Sequence, residues 1–170
     1  MHLNRVRGGI PDFAITYDIP ELDNFAVIIE DKYGLKFLEL TKKDGSLATT
    51  MKAINDYAVN GANHYSESII KSEINAYKEV LSIGIAGEID GDNIIKEGKA
   101  YYYFSPDHDP KPIDMKLDVL LSRLADDEIL DLYQDISLTD KEKSAILEQS
   151  YNSLKKTSKD LNRIFYDYSF

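Results

Sequence analysis

Phe25-Ala26-Val27-Ile28-Ile29-Glu30-Asp31-Lys32 is a run of five apolar residues that ends abruptly in three charged ones. An apolar run of this length, rich in β-branched residues, suits a strand buried on both faces in the middle of a sheet. Upstream, Phe13-Ala14-Ile15-Thr16-Tyr17 is a second β-rich run, and the segment from Asp18 through Pro20 to Asp23-Asn24 supplies a turn. Together they predict an antiparallel hairpin. Pro11-Asp12 opens its first strand and Glu30-Asp31-Lys32 closes its second. Folding the hairpin brings those two ends side by side. Glu30 and Lys32, two apart in a strand, then project on one face. Asp12 and Glu30 offer oxygen ligands of the kind Mg²⁺ takes, with positions left for water and phosphate. A Lys beside them can stabilise a crowded phosphate or orient an attacking water.

Outward from the hairpin, Tyr33-Gly34 ends the second strand and Asp44-Gly45-Ser46 forms a turn. Ser46 or Thr49 is placed to cap a following helix. From Leu47 to about Glu73 the spacing is helical, through Met51, Ile54, Tyr57, Ala58, Tyr65 and Ile69, with Gly61 a point where it could split. Residues 79–87 predict another buried strand, whose Gly84 and Gly87 allow close approach to the backbone. Asp90-Gly91-Asp92 is a turn, and Lys99 to Phe104, with Tyr101, Tyr102 and Tyr103, a last strand. The Pro-rich stretch 105–112 is expected to be a linker and a domain boundary. The fold class expected is α/β: a small mixed β-sheet flanked by helices in residues 1–112, then a helical segment over 113–170. In that tail Thr139 to Glu142 reads as a capping box. Leu147, Tyr151, Leu154, Ser158, Leu161, Phe165 and Tyr168 recur at alternating spacings of four and three, a heptad stripe.

The 170 residues include no Cys and three His, which excludes a thiol nucleophile, a zinc–thiolate site and a disulfide scaffold. No apolar stretch suits a bilayer crossing, so no membrane partner is expected, and the default compartment is the cytoplasm. A net charge of −10 works against a free-standing nucleic-acid binder. It leaves room for an acidic metal site that acts on DNA brought by other, more basic parts.

Pro11-Asp12 with Glu30-Asp31-Lys32 resembles the PD-(D/E)XK nuclease superfamily, whose fold is restriction-endonuclease-like. Residues 7–15, 27–32, 53–65 and 80–87 resemble one subgroup, the N-terminal endonuclease region of type IIG restriction–modification proteins fused to an N6-adenine DNA methyltransferase. The resemblance covers about residues 5–105. It implies a metal-dependent endonuclease domain acting on double-stranded DNA. Asp12, Glu30 and the backbone carbonyl of Asp31 would hold Mg²⁺, which Mn²⁺ can replace, and Lys32 would act on water or phosphate. The methyltransferase and specificity regions of a parent enzyme would be its partners. Many relatives carry Gln-x-x-x-Tyr on the helix after the active strand. This helix has no Gln, and Tyr57, Asn60 and His64 share one face, so Asn60 or His64 is the expected substitute. Arg5 and Arg7 are candidates for phosphate contacts. The alternative function is a non-catalytic module that keeps the nuclease fold for docking or DNA positioning.

Overall fold

The computed structural model describes residues 10–167 except 75, 93, 126 and 139, with the side chains of the last helix described from 141 to 158. Arg5, Arg7 and the capping residue Thr139 lie outside the described residues, as do the side chains of Leu161, Phe165 and Tyr168. The chain forms two compact units, residues 1–132 and 133–170.

The first unit is built on one mixed sheet of five strands in the order β1 (Phe13–Thr16), β2 (Phe25–Tyr33), β3 (Glu79–Ile89), β4 (Ile95–Ser105) and β5 (His108–Ile113). β1 and β2 form the expected antiparallel hairpin, with Phe13 opposite Ile29 and Thr16 opposite Ala26. β2 and β3 run parallel, so the chain must cross over between them, and α1 (Met51–Asp56) and α2 (Ala58–Ile70) make that crossover. β3–β4 and β4–β5 are antiparallel again. In β2 the apolar run is buried from Phe25 to Ile28 and half-buried at Ile29, so side chains of both faces are covered. On one face Ala26, Ile28, Val80 and Phe104 meet Tyr65 and Ile69 of α2, with Tyr77. The alternate residues Val27, Leu81, Ile83, Tyr101 and Tyr103 are buried on the other.

Three expectations need correction. The helical block breaks at Tyr57, which has extended backbone angles, and not at Gly61, which lies inside α2. Thr50, not Ser46 or Thr49, caps α1, its Oγ1 accepting from the Ala53 N–H at 3.2 Å. The Pro-rich stretch is not a bare linker: His108–Ile113 is strand β5, on the edge of the sheet. An edge strand needs only half its N–H groups for pairing, so Pro110 and Pro112 are tolerated there.

The tail is helical, with α3 (Leu117–Ser122), α4 (Ile129–Ser137) and α5 (Asp140–Asp167). On α5 the stripe residues Leu147, Tyr151 and Leu154 are exposed. Among the described residues no helix is long and apolar enough to cross a membrane.

Candidate active site

The end of β2 carries the charged residues that interrupt its apolar run. Strand alternation sends Glu30 to the same face as Ile28, under α2, and the burial pattern follows: Glu30 is 3 % exposed. The hairpin sets Asp12 directly beside it. The Asp12 N–H donates to Glu30 Oε1 at 3.0 Å, and the Asp31 N–H donates to Asp12 Oδ2 at 3.1 Å. Lys32 returns to the same face as Glu30. Its Nζ lies 2.8 Å from Glu30 Oε2 and 3.1 Å from Asp12 Oδ2, so one ammonium joins both carboxylates.

The backbone adds a further oxygen. In a strand the N–H and C=O of one residue point to the same side. Since the Asp31 N–H is turned to Asp12, the Asp31 carbonyl lies along that same edge. Among the described residues no cluster of three or more His, Asp or Glu side chains is gathered for a metal ion. The donor set at this point is therefore two carboxylates and a carbonyl, all hard oxygen ligands. That composition fits a Mg²⁺ or Mn²⁺ ion that keeps part of its water shell.

Environment separates the two carboxyls. Burial lifts Glu30 above its ordinary range, and the Lys32 ammonium pulls it back only in part. Asp12 is pushed up by its lesser burial, but Lys32 and the Asp31 N–H outweigh that and hold it below its ordinary range. Burial works against the Lys32 charge, yet Glu30 and Asp12 together keep its pKa raised. Carboxyls pushed apart in this way are a common mark of acid–base sites.

The helix above the site behaves differently from the sequence expectation. Asn60 is buried and fully engaged elsewhere: its Oδ1 accepts from the Leu40 N–H at 2.9 Å, and its Nδ2 donates to the carbonyls of Leu40 at 2.9 Å and Ala48 at 2.8 Å. Tyr57 sits at the α1–α2 junction, edge-on to Phe37. His64 is half-buried with its ring against Tyr65. The residues of α2 that face Glu30 are Gly61 and Tyr65, four apart and so on one side of the helix. A Cβ at Gly61 would stand 3.3 Å from Glu30 Cγ. Burial raises the Tyr65 phenol, and the Glu30 and Asp12 charges push the same way against Lys32. Gly84, the neighbour of Glu30 on β3, makes the approach possible: a Cβ there would meet Val59 backbone atoms at 2.7 Å. The spacing of Gly61 and Tyr65 was visible in the sequence, but nothing in it said which side of the helix faces Glu30.

A stretch of 65 residues, 38 % of this chain, is 48 % identical to a type II restriction enzyme and methyltransferase, RM.BcgI, from Heyndrickxia coagulans. The matched part is 10 % of that protein's length. No protein-family profile matches the chain, and no solved structure matches it.

Proposed function

We propose that this chain is the endonuclease domain of a restriction–modification enzyme and hydrolyses phosphodiester bonds in double-stranded DNA with Mg²⁺ or Mn²⁺. The observation that carries the reading is the convergence of Asp12, Glu30 and Lys32 at the end of β2, with both carboxylates on one ammonium. The partial likeness to a restriction enzyme and methyltransferase supports the same context. Asp12, Glu30 and the Asp31 carbonyl would hold the ion, which when bound polarises the phosphate and lowers the pKa of a water. Lys32, which joins both carboxylates, would hold a phosphate oxygen or orient the water. Burial of Glu30 under Gly61 and Tyr65 keeps that carboxylate in one position and excludes bulk solvent from it. A methyltransferase part of the same enzyme and its specificity region would be the partners of this domain.

The test is DNA cutting by the intact protein. Mg²⁺ should support it and EDTA should stop it, and Asp12→Ala or Glu30→Ala should each lower the rate by several orders of magnitude. Equal cutting by wild type and both variants would overturn the assignment.

A further inference from the structure

We propose that the cavity between α2 and the β4–β5 end of the sheet binds a nucleobase that carries an exocyclic amino group, adenine or cytosine. The inference goes beyond the nuclease reading and does not depend on it. Asp12, Glu30 and Lys32 do not line this cavity. Gly61 and Tyr65 are the residues of α2 that face Glu30, whereas Asn60, Asn63, His64 and Glu67 line the cavity. Spacings of three and four put those last residues together on another side of the helix. The volume is about 420 Å³, within the range of small-molecule sites. Three separate parts of the chain enclose it: the loop before α1 at residues 45–49, helix α2, and strands β4 and β5 at Tyr102, Phe104 and Pro110. The loop wall is held in place by Asn60, whose Nδ2 donates to the Ala48 carbonyl at 2.8 Å.

The lining chooses the ligand. The buried Ser82 hydroxyl donates to Asn63 Oδ1 at 2.7 Å, which fixes the amide and leaves its Nδ2 without a partner among the described residues. Tyr102 stands opposite Ser82 in the β3–β4 ladder, so its ring and the Asn63 amide belong to the same part of the wall. Phe104, two residues along the strand, adds a second aromatic ring on that face. Glu67 lies one turn beyond Asn63 and brings a carboxylate, of which Oε2 takes Lys71 at 3.1 Å. Among the described residues that line the cavity there is no Lys or Arg. Burial and the Glu39 charge both raise the Tyr102 phenol, so the field here is negative. Phosphates and carboxylates are therefore disfavoured, and a neutral flat ring is favoured. The pairing edge of adenine or cytosine sets a ring nitrogen that accepts beside an amino group that donates. Asn63 Nδ2 and the Glu67 carboxylate offer the opposite pair, and the rings of Tyr102 and Phe104 offer apolar faces against the base.

The experiment is a nuclear magnetic resonance titration of the intact protein without metal, read at the imidazole of His64, which lines the cavity. The probes are adenosine, cytidine and thymidine as free nucleosides, and single-stranded oligonucleotides of deoxyadenosine or deoxycytidine. Adenosine or cytidine should shift the His64 signals to saturation, and thymidine, which lacks the amino group, should bind more weakly. Asn63→Asp keeps an oxygen for the Ser82 hydroxyl and removes the donor, and Tyr102→Leu removes a ring. Each should weaken binding by about tenfold or more, with thermal unfolding of Asn63→Asp close to wild type. Tighter binding of the oligonucleotides than of the nucleosides marks an unstacked base of DNA as the source of the ligand. The reverse order marks a free nucleoside, and either upholds the site. No saturable shift with any adenine or cytosine probe, thymidine binding as tight as adenosine and cytidine, or equal affinity in wild type and both variants would overturn it.

Discussion

Glu30 is a buried carboxylate whose charge works against stability. The residue is 3 % exposed, and its pKa lies above the ordinary range because burial outweighs the help of Lys32. A carboxyl that is harder to ionise in the folded state favours the fold below its unfolded pKa, and that contribution is lost as pH rises through the folded value. The ionised group is thus a burden at neutral pH in the metal-free protein. Glu30→Gln removes it while leaving an oxygen to accept from the Asp12 N–H. Thermal unfolding in EDTA should show the variant gaining on wild type as pH rises from about 4 to about 8. A variant that falls further behind wild type over that range would show that the pairing with Lys32 dominates, contrary to this account. Asp12 has the opposite sign: its lowered pKa stabilises the fold above the unfolded pKa, and that stability is lost as acid protonates it.

At the scale of elements, the site depends on how closely α2 can lie on β3. Gly84 leaves no side chain between them, and its missing Cβ would overlap the Val59 nitrogen and Cα at 2.7 Å. Backbone atoms cannot swing away as the end of a side chain can. Gly84→Ala should therefore destabilise the protein by about 1–3 kcal/mol, as overpacked cores do. Because Gly84 pairs with Glu30, it should also impair cutting beyond what its stability loss explains. Denaturant unfolding alongside the cutting rate checks both, and a variant of wild-type stability would contradict the packing. The hairpin, the buried strand after the helices and the helical tail were all legible from the sequence, because each rests on periodicity or on a long apolar run. The meeting of Asp12, Glu30 and Lys32 was legible too, since a two-residue period puts Glu30 and Lys32 on one face and the hairpin brings Asp12 beside them. Other features depend on three-dimensional neighbours. Asn60 and His64 carry the residue types of a site, but only the position of residues 38–48 shows that Asn60 is used up holding that loop. β5 was hidden because two prolines in a short segment suggest a linker, and only its edge position admits them as a strand.

For the whole molecule the governing quantity is charge. At net −10 the chain repels a polyanion at long range. On its own it should bind duplex DNA weakly at about 150 mM salt. Fluorescence anisotropy would check this, and tight binding would point to a basic surface outside the described residues. Strong acidity is no obstacle to cations, however, and the central claim is that Asp12 and Glu30 share one. Mn²⁺ titration followed by electron paramagnetic resonance tests that most directly, because it reads the ion without DNA, partners or turnover. The account predicts one Mn²⁺ per chain, displaced by Mg²⁺ and lost in Asp12→Asn and in Glu30→Gln. In Lys32→Ala the ion should bind at least as tightly as in wild type, since the ammonium that bridges the two carboxylates would be gone. Binding that is absent, or equal in wild type and both carboxylate variants, would contradict it.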